Sequence, residues 1–269
     1  MRSIATTFQR MRAEGRKGFI PFVTAGDPDI DRSLLIILKL AEFGADVIEI
    51  GVPFSDPMAD GPTIQRSSQR ALANGVNVSD VLSIVRRVRE QIETPLVLFS
   101  YLNPLLSYGF QNLARDAAVA GIDGILITDA IDEEAMEFSS VLRDSGLDLI
   151  SLVAPTTTGD RLEKIAKRSS GFLYAVSRAG ITGARDTVSA DAEKLVERTR
   201  QFTDLPIAVG FGISTAQQIK DVWRFADAAV VGSAIVSEIE RSSSGDPVSA
   251  VEAFAGGLLP QFAKSTPEL

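Results

Sequence analysis

The sequence predicts an α/β protein whose eight parallel strands close into a (β/α)8 barrel, with an amphipathic helix before the first strand and an extra helix after the last unit. Three observations point there. Short apolar runs alternate with helix-period segments from end to end, the pattern of a parallel sheet covered by helices. Eight such βα units fit into about 230 residues, a spacing that suits a closed barrel better than an open sheet. Several runs are almost continuously apolar, as strands become when one side faces a barrel core and the other faces helices.

Taken in order, the opening segment places Ile4, Phe8 and Met11 at helical spacing among arginines, so it reads as an amphipathic helix lying on the body of the protein. The strands follow as FIPFV at 19–23, VIEI at 47–50, LVLFS at 96–100, GILIT at 124–128, LISLV at 149–153, FLYAV at 172–176, PIAVG at 206–210 and AAVVG at 228–232. No linker breaks the alternation until RSSSGDP at 241–247, after which a final helix is expected to pack back on the barrel. One domain over residues 1–269 is therefore expected, and 45% hydrophobic content is enough to fill one sizeable core. The longest aliphatic runs, such as LLIIL at 34–38, are too short to span a bilayer, and the N-terminus lacks the apolar core of a secretory signal. A cytoplasmic location is the expectation.

Composition narrows the chemistry. A formal charge of -8 with no basic block argues against a nucleic-acid backbone or an anionic membrane as the main partner. Cysteine and histidine are absent, so disulfides, thiolate chemistry and His-ligated zinc are excluded. Acid–base work near neutral pH then falls to carboxylates, tyrosine or lysine with displaced pKa values. All seven lysines, at 17, 39, 164, 167, 194, 220 and 264, lie outside the strands, which closes the Schiff-base route through a strand lysine. Asp27, Glu49, Asp56, Asp60 and Asp129 are carboxylates of the kind a metal takes, but their spacing resembles no clustered ligand set. Metal-free acid–base catalysis is expected.

The stretch VIEIGVPFSDPMADGP at 47–62 sets a glutamate in a buried apolar run. Strand alternation puts Val47, Glu49 and Gly51 on one side and Ile48 and Ile50 on the other. The isoleucines suit the helix layer, so Glu49 points inward, near the C-terminal end of its strand, where barrel enzymes carry their active sites. A carboxylate there loses its hydration on folding, a cost tolerated when the group is paired, protonated or put to use. A buried ion pair with a loop arginine is the plainer alternative; at this end of a barrel, catalysis is the stronger one. Taken alone, Asp60 reads as a turn former, and Tyr174 in the sixth strand as a core residue whose hydroxyl finds a partner.

Two loops exceed the few residues usual after a barrel strand. VPFSDPMADGP, 52–62, is stiffened by three prolines and carries Asp56 and Asp60. SRAGITGARDT, 177–187, has Gly180 and Gly183 as hinge points and brings Arg178 and Arg185. Long loops at this face often serve as lids. PIAVGFGIST passes from strand through a glycine turn into a helix capped by Ser214 or Thr215, and AAVVGSAIV repeats that logic one unit later. Both place backbone N–H groups at a helix N-terminus after strands seven and eight, a recurrent phosphate position in this fold. Gly212, Gly232 and Ser233 are the anion candidates.

PFVTAGDPD at 21–29, IEIGVPFSDPMADGPTIQ at 48–65, SRAGITG at 177–183 and VGFGIS at 209–214 resemble the alpha chain of tryptophan synthase, in order and across nearly the whole chain to GSAIV at 232–236. The resemblance implies a TIM-barrel lyase that performs the retro-aldol cleavage of indole-3-glycerol phosphate to indole and glyceraldehyde 3-phosphate, without metal or organic cofactor. It implies that Glu49 transfers the protons and that Asp60 accepts the indole N–H. Tyr174 would support the Glu49 environment, and Thr182 would bond Asp60 when the second long loop closes. Phe22, Phe99, Leu126 and Phe211 are implied as the apolar slot for the indole, and Gly183, Gly212, Gly232 and Ser233 as the phosphate site.

The resemblance also implies a partner, a beta chain bearing pyridoxal phosphate in an α2β2 assembly, which receives indole through a tunnel. Loop 52–61 and the region around Asn103 and Pro104 resemble the docking surfaces. ITDAIDEE at 127–134 departs from the family in lacking a proline shortly after its aspartate, which bears on the loop shape and the contact there. Two competing readings explain less. A sugar-phosphate isomerase on a related barrel leaves the buried glutamate and the Asp-Pro loop unaccounted for, and a non-catalytic activating subunit leaves Glu49, Asp60 and Thr182 without a task.

Overall fold

The computed structural model describes residues 3–130, 132–176, 190–210 and 212–259. Eight strands, β1 (Gly18–Thr24), β2 (Ile48–Gly51), β3 (Leu96–Ser100), β4 (Gly124–Ile127), β5 (Asp148–Val153), β6 (Leu173–Val176), β7 (Ile207–Gly210) and β8 (Ala228–Val231), pair in parallel and in sequence order. β8 returns to pair with β1, so the barrel is closed. The helices described are α1 (Ile4–Ala13), α2 (Ile30–Glu42), α3 (Pro62–Ala73), α4 (Val78–Arg89), α5 (Leu102–Tyr108), α6 (Phe110–Ala120), α7 (Asp132–Asp144), α8 (Gly159–Arg168), α9 (Ala190–Thr199), α10 (Ala216–Val222), α11 (Ser233–Ser242) and α12 (Pro247–Leu258). Each strand limit falls within one residue of its sequence expectation. β2 and β3 are each followed by two helices, α5 giving way to α6 at Gly109, whose φ of 89° suits glycine.

The pleat divides the strands between two cores. Val47, Val97, Leu126, Ile150 and Tyr174 fill the barrel, whereas Ile48, Ile50, Leu98, Ile125 and Val209 face the helix layer. The alternation expected of β2 is therefore the one observed. α1 closes the N-terminal end: Ile4, Phe8 and Met11 join the interior cluster, and the Phe8 ring lies 5.8 Å from that of Phe172. Each such side chain contributes roughly 1.5–3 kcal/mol of burial, which holds α1 across the barrel floor. Its ends are finished locally, by reciprocal Ser3 and Thr6 bonds at the start and by Arg10 and Arg12 in the last turn, where the helix dipole favours cations. A cleft of about 660 Å³ beside α1, lined in part by Phe8, Arg12, Lys17 and Asp227, opens at this end and away from the end that carries Glu49.

At the other extreme of the chain α12 packs on α11 and α2. Asp246 caps it by accepting the Val248 and Ser249 N–H groups at 3.1 Å, and Pro247 opens the first turn. A charged clamp joins elements above the barrel. Arg70 on α3 donates to both carboxylate oxygens of the buried Asp27 at 2.7 and 2.9 Å and to Glu240 on α11 at 2.8 Å. Arg66 adds a two-point contact to Glu240 at 2.6 and 2.7 Å. α3 follows Asp60 and α11 begins beside Gly232, so the clamp ties the two ends of the mouth together. No helix among the described residues is long and apolar enough to cross a membrane.

Candidate active site

Glu49 stands third from the C-terminal end of β2, with Phe22 of β1 and Val97 of β3 as its register partners. It is 1% exposed, and its Oε1 has no hydrogen-bond partner. No arginine or lysine of the described residues pairs with it, so the ion-pair alternative fails there. Burial alone pushes its carboxyl up to about 8, which keeps it protonated at neutral pH.

Asp60 lies at the end of the loop after β2, one residue before Gly61, the N-cap of α3, with Pro62 in the first turn. Its backbone carbonyl accepts from Gln65 Nε2 at 2.9 Å and its N–H donates to the Pro57 carbonyl at 3.1 Å, so the turn is pinned on both sides. Burial raises the Asp60 carboxyl to about 6, opposed by a hydrogen bond from the Tyr101 hydroxyl. The two carboxyls thus separate in role at pH 7. Glu49 is held as an acid and Asp60 as an anion, the division that assigns acid–base partners in other active sites.

Tyr174 from β6 reaches the same interior. Burial, with the charges of Glu49 and Asp60 behind it, pushes its hydroxyl well above the usual tyrosine range. A side chain at Gly210 on β7 would collide with that hydroxyl, which gives Gly210 a packing reason to be glycine. Phe22 and Phe99 meet edge to face at 5.2 Å and 76°, and Leu126 is the register partner of Phe99. These three form one apolar wall beside Glu49.

The anion candidates differ in their surroundings. Ser214 and Thr215 direct their backbone N–H groups to Gln218 Oε1 at 2.8 and 3.2 Å, while the Thr215 hydroxyl accepts the Gln218 N–H, so α10 is capped by its own residues. Thr215 is the N-cap of the two residues considered. α11 has no such side-chain cap: Gly232 occupies the N-cap and Ser233 opens the helix. Gly232 also lies beside Phe22, whose Cβ would be 3.4 Å from a Cβ built there. Gly212 adopts φ 78° in open space, so its glycine serves backbone conformation. Phe211, Thr182 and Gly183, with the long loop 177–187, lie outside the described residues.

The remaining carboxylates are engaged elsewhere. Asp27 is held by Arg70, Asp56 accepts from Ser55, and Asp129 accepts the Leu102 N–H at 2.7 Å. Among the described residues no group of three or more His, Cys, Asp or Glu is placed to hold a metal ion. Sequence reasoning missed Tyr101 and Gly51. Tyr101 directly follows β3 at the end of the barrel that carries Glu49, and that position was the available signal. Gly51 continues the inward-facing series of Val47 and Glu49, which marked it as an interior position without revealing what it touches.

A buried inward glutamate, a half-buried aspartate at the rim and an uncapped helix start at the last strand stand at one end of a closed barrel. The family model described as "Tryptophan synthase alpha chain" matches residues 8–258. The chain belongs to the tryptophan synthase alpha chain family. A tryptophan synthase alpha chain from Solibacter usitatus is 48% identical over 243 residues, covering 90% of this chain and 91% of that one. Among solved structures, the tryptophan synthase alpha subunit of Legionella pneumophila superposes with a TM-score of 0.88 at 36% identity, covering 96% and 97% of the two chains. The tryptophan synthase of Mycobacterium tuberculosis gives 0.88 at 37% identity, covering 97% and 98%. Like other tryptophan synthase alpha chains, this protein is a carbon–carbon lyase that cleaves indole-3-glycerol phosphate to indole and glyceraldehyde 3-phosphate.

Proposed function

We propose that Glu49 moves both protons of the cleavage and that Asp60 carries the compensating charge, with no metal taking part. The bond from indole C3 to the glycerol chain breaks when C3 gains a proton and the adjacent hydroxyl loses one. Protonated Glu49 gives its proton to C3, which leaves a cationic ring whose N–H faces the Asp60 carboxylate. Negative charge fixed at that spot stabilises the cation in a site shielded from water. The Glu49 carboxylate then takes the hydroxyl proton as the C–C bond breaks; its electrons return to the ring and the alcohol carbon becomes the aldehyde. Glu49 ends protonated, so one group completes the cycle without a net proton.

The observation that carries this reading is the buried Glu49 carboxyl with an unpartnered Oε1 in the barrel interior. In the same reading Tyr174 supports Glu49, and Thr182 bonds Asp60 when loop 177–187 closes. Phe22, Phe99, Leu126 and Phe211 hold the flat ring. Gly183, Gly212, Gly232 and Ser233 bind the phosphate through backbone N–H groups and the α11 dipole.

The proposal extends to assembly: residues 1–269 act as one cytoplasmic barrel domain docked on a beta chain in an α2β2 complex, and pyridoxal phosphate belongs to that partner. Support comes from the face formed by loop 52–61 and α5, where Met58 is 85% and Leu106 50% exposed, an apolar display that suits a protein contact. The test is indole release from indole-3-glycerol phosphate by the purified chain, with and without a beta chain. Slow release that the partner accelerates is expected. Activation of the partner with no cleavage would leave this chain a binding subunit.

A further inference from the structure

We propose that Tyr101 is a positioning residue for the lyase reaction: held by the Ala59 N–H, its hydroxyl orients the Asp60 carboxylate toward the indole nitrogen. The proposal rests on the role given to Asp60 above. Tyr101 sits where β3 passes into α5, is 5% exposed, and packs its ring on Phe54 at 5.2 Å and 34°. Phe54 belongs to the same loop as Asp60, so the ring is gripped by the segment whose tip it serves. The hydroxyl accepts the Ala59 N–H at 2.9 Å. With a lone pair committed there, its proton is free to point at the carboxylate of the adjacent residue, Asp60, whose ionisation it favours.

One oxygen thus holds the backbone N–H of the residue before Asp60 and, in this proposal, the Asp60 side chain as well. A rigid ring delivers that oxygen, and positioning of this kind transmits to catalysis when a small displacement misplaces the reacting partner. Among the described residues no arginine or lysine pairs with Asp60, and the Tyr101 hydroxyl is the group that offsets the burial of its carboxyl. Donation to the charged form favours that form and works against the burial that raises Asp60. Burial, then the Asp60 charge, holds the Tyr101 hydroxyl up, so it keeps the proton it donates. The other titratable groups facing this pair are Glu49 of β2, Tyr174 of β6 and Asp129 after β4.

The experiment compares the parent chain with Tyr101→Phe in cleavage of indole-3-glycerol phosphate across pH, with Asp60→Asn and the double variant alongside. Phe keeps the ring on Phe54, so the fold is retained and checked by circular dichroism. A fall in kcat of about ten- to hundredfold is expected, with KM changed less than threefold and the acid limb of the profile moved to higher pH. In the Asp60→Asn background the same substitution should add almost nothing. An unmoved acid limb, a loss confined to KM, or losses that multiply in the double variant would overturn the positioning role. A parent chain that cleaves nothing would overturn the lyase reading itself, and this proposal with it.

Discussion

Phe22 on β1 stands in register with Glu49 on β2, and its ring fills the space that any side chain at Gly51 would need: a Cβ there would lie 2.5 Å from Phe22 Cζ. Gly51→Ala must therefore turn the ring out of its edge-to-face contact with Phe99. A stability loss of roughly 1–3 kcal/mol is expected from such overpacking, together with a severalfold rise in KM for indole-3-glycerol phosphate. Denaturant unfolding and steady-state kinetics measure the two; parent-like values for both would show that the ring does not wall the site.

Glu49 makes stability depend on pH in a calculable direction. Its folded pKa of about 8 lies above the ordinary 4.5, so its favourable contribution is complete below pH 4.5 and is lost as pH rises to about 8, where the folded group ionises as well. Glu49→Gln removes that dependence. The variant should gain on the order of 3 kcal/mol over the parent at pH 7 and little at pH 4. Parallel stability curves for the two proteins from pH 4 to 8 would contradict the buried, uncompensated carboxyl.

The Arg70 clamp yields a contrast. Arg70→Met leaves Asp27 buried without its cation and should cost roughly 3–5 kcal/mol. Arg66→Ala removes a half-exposed partner of Glu240 and should cost far less, because solvent screens that pair. Comparable losses, read from chemical denaturation, would mean that Asp27 does not depend on Arg70.

At the phosphate end, Ser233→Asp adds negative charge at an uncapped helix start. The helix itself tolerates or favours an acid there, whereas a bound phosphate is repelled. The expected outcome is unchanged or slightly raised Tm with KM increased tenfold or more. A normal KM would move the phosphate away from α11.

The barrel is legible in the sequence because strands buried on both faces must be apolar throughout, and runs such as VIEI and AAVV have no exposed alternative. Glu49 is legible for the converse reason, since a charge in such a run has a desolvation cost that needs a purpose. Tyr101 is not legible, because its task depends on Ala59 folding back onto it from 42 residues away. Nothing local in FSYLNP encodes that contact. Arg70 and Asp27 are separated by 43 residues and are hidden for the same reason. The two glycine turns look alike as sequence, yet Gln218 occupies the amides of one while the other has no side-chain cap. Only the three-dimensional arrangement distinguishes them.

The most direct measurement is indole release from indole-3-glycerol phosphate by Glu49→Gln beside the parent, with binding of a non-cleavable phosphate analogue measured on both. Loss of the proton-transferring group should lower kcat by about 10²–10⁴-fold while analogue affinity stays within a few fold. Turnover by Glu49→Gln at the parent rate would place the proton transfers on another group and contradict the account.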